Sequence, residues 1–144
     1  MPDLDEKADF LARVPLFRGL KHRQLENLAG SMAVRHYDAG ETIVTQGKEG
    51  IGLFVLVSGE AEVVRTGADG STTKLNVFGP TDFFGELALL DGGPHTASVV
   101  AVKETECLVL VHWEFLGKLK QDAAMVAVIM EEVVRRFHRA LRAV

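Results

Sequence analysis

The spacing of hydrophobic positions changes character twice along the chain. At the N-terminal end it is helical. In "DEKADFLARVPLF" the residues Phe10, Leu11 and Val14 share one face, and Pro15 ends or kinks the segment. "KHRQLENLAGSM" predicts a second short helix, with Leu25 and Leu28 at i, i+3 and Gly30 as its stop. The pattern then turns to short runs rich in Val, Ile, Thr and Phe: "AVRHY", "TIVTQ", "LFVLVSG", "EAEVVRT", "TTKLNVF", "ASVVAV" and "ECLVLV". The separators "DAGE", "GKEG", "SGE", "GADG" and "GP" supply positive φ or proline turns. Seven or eight short strands with glycine turns predict an antiparallel sandwich or jelly roll. After Val111 helical spacing returns. "HWEFLGKLK" reads as one short helix, and Asp122 as the N-cap of a long last one.

That last helix carries a heptad seam. Val126, Met130, Val133, Phe137, Ala140 and Val144 alternate spacings of four and three, with Ile129, Val134 and Leu141 beside them. Two uses stay open: packing within one chain, or pairing with a second copy as a homodimer. Arg135, Arg136, His138, Arg139 and Arg142 suit the negative end of the helix dipole.

Composition narrows the function classes. A length of 144 residues fits one domain: helices about 5–31, a barrel about 33–111 and C-terminal helices about 113–143. The net charge of −4 argues against nucleic acid as a partner. Cys107 is the only cysteine, so no internal disulfide forms; in "ECLVLV" it reads as a small buried residue rather than a nucleophile. "MPDLDEKADF" has no apolar signal region, and no apolar run approaches the ~20 residues of a membrane span. A cytoplasmic setting is expected, with no membrane partner. Ser58 and Ser98 lack a nucleophile-elbow context. His22, His36, His95, His112 and His138 form no H-x-H or H-E-x-x-H pair, so neither a metal site nor an enzyme is expected. Trp113 and Tyr37 read as packing aromatics.

The chemistry concentrates in residues 83–99, "FFGELALLDGGPHTASV". Gly85 permits close backbone approach to a ligand. "ELALL" predicts a short helix whose first amides lack internal partners and can face an anion. Glu86 at its start suits the dipole but repels a phosphate, so a neutral hydroxyl or an arginine is its natural partner.

This stretch resembles the phosphate-binding cassette of cyclic nucleotide-binding domains, of the catabolite-activator and protein kinase A regulatory-subunit type. The likeness extends to "FLARVPLFRGL", "AGETIVTQGKEG", "LFVLVSGEAEVV" and the final helix pair. It implies a mainly β fold: an antiparallel jelly-roll β-barrel with N-terminal helices and a long C-terminal helix over the ligand. It also implies roles. Glu86 accepts the ribose 2′-hydroxyl, and the backbone at Gly85, Leu87 and Ala88 lines the ribose-phosphate. Thr96 offers a hydroxyl or amide to the cyclic phosphate, Ala97 adds an amide, and Arg136 pairs with Glu86. The family's cassette arginine is missing, and His95 occupies its place. Ala140 and Leu141 stand where catabolite-activator-type relatives carry polar base readers.

A guanidinium is permanently charged and binds two phosphate oxygens, whereas neutral imidazole offers one donor. Losing one charge-assisted contact costs roughly 1.5–3 kcal/mol, about 10- to 150-fold in affinity. The resemblance therefore implies a cyclic AMP or cyclic GMP sensor of reduced affinity, without cofactor, read by a protein effector. The alternative is a degenerate cyclic nucleotide-binding-like fold serving as a dimerisation or interaction module. DNA binding is not expected, because transcription-factor relatives carry a helix-turn-helix after the long helix and this chain ends there.

Overall fold

In the computed structural model of the protein, residues 3–142 are described. Val144 of the proposed seam lies outside them. The chain divides into two compact units: residues 1–31 with 113–144, and residues 32–112.

In the helical unit, α1 (Leu4–Leu11) starts at Asp3, whose side chain accepts from the Glu6 amide at 2.8 Å. It buries Ala8, Phe10 and Leu11. Pro15 ends nothing abruptly; it opens a 3₁₀ turn over Pro15–Phe17, where its missing N–H is harmless. α2 (His22–Gly30) buries Leu25, Leu28 and Ala29 and stops at the predicted glycine. α4 (His112–Gln121) leads to Asp122, which caps α5 (Ala123–Arg142) by accepting from the Met125 amide at 3.0 Å. The twenty residues of α5 span ~30 Å.

The seam on α5 is not one surface. Val126 and Val133 are buried, together with Met125 and Ile129. Met130 and Phe137 are 43% and 50% exposed, in line with exposed Val134 and Leu141. One heptad pattern thus splits into a buried stripe and an exposed stripe, because a wide apolar face has two flanks and only one is covered within the chain. Trp113 corrects an expectation: it is 67% exposed at the start of α4. Tyr37 does pack, partly buried against the strand core.

In the strand unit, the described residues form two four-stranded antiparallel sheets. One has the order β1 (Ala33–Tyr37), β8 (Thr105–Val111), β3 (Gly52–Ser58), β6 (Phe83–Phe84); the other has β2 (Thr42–Val44), β7 (Ser98–Ala101), β4 (Ala61–Thr66), β5 (Thr72–Phe78). The expected closed barrel is not found among the described residues. No ladder joins the two sheets among those residues, so each keeps two open edges: β1 and β6 in one, β2 and β5 in the other. The inner faces meet in a core of Val44, Phe54, Leu56, Ala61, Phe84, Val99, Cys107 and Val109. Phe84 stacks on Phe54 at 5.1 Å and on Phe78 at 5.6 Å, which fixes the strand entering the cassette. Burial, aided by the neighbouring Glu106 charge, pushes the Cys107 thiol up to about 12, so it stays protonated at neutral pH.

Candidate functional site

The cassette begins where β6 gives way to α3 (Glu86–Asp91). Gly85 sits in the left-handed region at φ +84°, and a Cβ there would collide with the Gly52 carbonyl. The turn therefore demands glycine on both dihedral and steric grounds. The Leu89 amide donates to the Gly85 carbonyl at 3.0 Å, so the amides of residues 86–88 precede the first internal bond of the helix. Ala88 and Leu89 anchor α3 in the unit's interior, and a histidine holds its far end: His112 Nδ1 lies 2.7 Å from the Leu89 carbonyl oxygen. Gly92, again left-handed at φ +67°, closes the helix with its amide on the Ala88 carbonyl at 2.8 Å.

The second half of the cassette is pinned by the β2–β3 loop. The His95 amide donates to the Lys48 carbonyl at 3.0 Å, and the Gly47 amide donates to the His95 carbonyl at 2.9 Å. The Gly50 amide donates to the Gly93 carbonyl at 3.0 Å, and any Cβ at Gly50 would strike Ala88 and that same carbonyl. From the other side, Arg65 Nε donates to the Thr96 carbonyl at 3.3 Å.

Between the two halves lies a cavity of about 220 Å³. Gly85, Glu86, Leu87 and Ala88 form one lip; His95, Thr96 and Ala97 form the other. Val44, Val63, Phe78, Phe84 and Val99 supply apolar lining. Every site residue expected from the strand region thus lines one cavity. The remaining expected site residue, Arg136, lies half-buried on α5, in the helical unit. A second cavity, of about 170 Å³, includes Arg35, Thr45, Lys48 and Glu49, and His95 lines both. Burial lowers the His95 pKa, so its imidazole is neutral at pH 7.

Sequence reasoning missed the apolar lining and Arg65. Strand alternation carries the signal for the first. Arg65 has none, since thirty-one residues separate it from Thr96. Two of the remaining histidines lie among carboxylates at the surface. His22 lies 3.0 Å from Asp5 and 3.4 Å from Glu26, and His36 lies 3.4 Å from Glu104. Among the described residues, neither group with metal-ligand spacing contains a second histidine. Among them, too, no helix is long and apolar enough to cross a membrane.

Comparison with known proteins agrees with this geometry. The chain is 32% identical over 126 residues to the cyclic AMP receptor protein of Thermus thermophilus, covering 88% of this chain and 58% of that one. It is 37% identical over 97 residues to the cAMP-dependent protein kinase regulatory subunit of Mycosarcoma maydis, covering 67% of this chain and 18% of that one. The chain thus spans less than two thirds of these relatives' lengths. Among solved structures, the N-terminal domain of a transcriptional regulator from Streptomyces coelicolor superposes with a TM-score of 0.85 at 33% identity, covering 94% of each chain. The sequence pattern of the cyclic nucleotide-binding domain matches residues 34–122, from β1 to the residue that caps α5, and the chain belongs to that family.

Proposed function

We propose that the protein is a non-enzymatic cyclic-nucleotide sensor that takes cyclic AMP or cyclic GMP into the cassette cavity. The observation that carries this reading is the single cavity lined by both Gly85–Ala88 and His95–Ala97 in a member of this family. Glu86 would accept the ribose 2′-hydroxyl. The amides of residues 86–88 and of Ala97, with the Thr96 hydroxyl, would hold the cyclic phosphate. Arg136 would pair with Glu86, and the bound ligand would signal through α5 to a protein effector. Affinity would be reduced at neutral pH, because His95 is buried enough to be uncharged there. A phosphate beside the ring raises its pKa again, so binding draws in a proton and strengthens on acidification. Isothermal titration with both nucleotides at about pH 5.5 and about pH 7.5 tests this, the two values bracketing the ordinary histidine pKa. Heat should be seen at both, with the smaller Kd at the lower pH; no heat at millimolar ligand at either overturns the reading.

One observation favours a second role beside the first. Met130, Val134, Phe137 and Leu141 expose an apolar stripe at heptad spacing on α5. A second copy offering the same stripe would cover it, giving a homodimer. Sedimentation should show a dimer at micromolar concentration that Phe137→Lys converts to monomer; a wild-type monomer at high micromolar concentration removes this role.

A further inference from the structure

We propose that Arg65, on β4, supplies the guanidinium for the ligand's phosphate, the charge that His95 does not provide. This rests on the cyclic-nucleotide reading above. The β4–β7 ladder pairs Val63 with Val99 and Val64 with Ser98, so Arg65 comes next along β4, at the level of Ala97. Its Nε donates to the Thr96 carbonyl at 3.3 Å, which fixes the base of the guanidinium on the lip of the cavity. Among the described residues, its two Nη groups make no hydrogen bond or ion pair. A planar cation held at one nitrogen and open at the other two is preorganised for two oxygens of one anion. Arg65 itself lines neither cavity; its bond to the Thr96 carbonyl places it beside the first, whereas Arg35 and Lys48 line the second. A monoanionic cyclic phosphate between the amides of residues 86–88 and the Thr96–Ala97 edge would meet Arg65 from the β4 side. The cassette would then recruit its cation from a neighbouring strand rather than from its own loop.

The test is titration of cyclic AMP into wild type, Arg65→Gln and Arg65→Lys at neutral pH and at several salt concentrations. Arg65→Gln should weaken binding about 10- to 150-fold and flatten its salt dependence. Arg65→Lys keeps the charge without the fork and should fall between. Should Arg65→Gln fail to fold, Arg65→Lys carries the comparison alone. An affinity within about twofold of wild type overturns the proposal and leaves the cyclic-nucleotide reading intact. So does a weakened affinity with unchanged salt dependence, which marks Arg65 as a tether for the Thr96 carbonyl only. Absence of binding by the wild type sinks the functional reading itself, and this proposal with it.

Discussion

The two lips of the cassette cavity are built on different principles. The Gly85 lip is a backbone device: a left-handed turn, three free amides and a helix anchored by Ala88 and Leu89. The His95 lip differs: its backbone is pinned by Gly47 and Lys48, and in the proposed function its chemistry rests on the His95 and Thr96 side chains. The first does not tolerate a side chain at its turn, because a Cβ at Gly85 has nowhere to go. The second can change its chemistry without disturbing the fold. A family's architecture can therefore persist while its ligand preference drifts, and the proposed function puts the drift in this chain on the side-chain lip.

Breaking the backbone lip gives the largest effect. Gly85→Ala combines ~1–3 kcal/mol of dihedral strain with ~1–3 kcal/mol of overpacking against the Gly52 carbonyl. Chemical denaturation should show a loss of about 2–6 kcal/mol, with ligand binding lost alongside it; a loss below about 0.5 kcal/mol would mean the turn does not require glycine. Placing a permanent cation at position 95 on the other lip comes next. His95→Arg should tighten cyclic AMP binding about 10- to 150-fold at neutral pH with little change in stability. Equal affinity would show that the lack of a cation at position 95 does not limit binding.

Removing only the hydroxyl is milder. Thr96→Val keeps the shape and should cost ~0.5–1.5 kcal/mol, a few-fold to about 13-fold in Kd. No change would take Thr96 out of the phosphate site.

The smallest effect is in the ligand-free protein. The folded-state pKa of His95 lies below its unfolded value, near 6.5, so the unfolded chain binds the proton more readily. Its contribution to stability is flat above that value and falls as pH drops through the window beneath it. His95→Gln should lose this part of the acid sensitivity in denaturant titrations; an identical pH profile would mean that the ring titrates normally.

Much of this architecture was legible in the amino-acid order. Strand propensity and glycine turns located seven of the eight strands, and Asp122 marked the start of α5. β6 escaped because two residues carry no period. Barrel closure was over-read, since alternation defines which face a residue takes and not which edges pair. The heptad seam on α5 was visible, but periodicity cannot tell which flank is covered; Trp113, expected to pack as a lone aromatic, is exposed instead. The cassette was readable as a contiguous motif. Its neighbours Arg65, Val63 and Phe78 were not, because only strand pairing brings them to it.

The most direct test of a cassette with intact shape and altered charge is cyclic AMP titration of wild type and His95→Arg at about pH 5.5 and about pH 7.5. Wild type should bind more tightly at the lower pH, and His95→Arg should bind tightly and equally at both. Wild-type affinity independent of pH, or no binding by either protein, would contradict it.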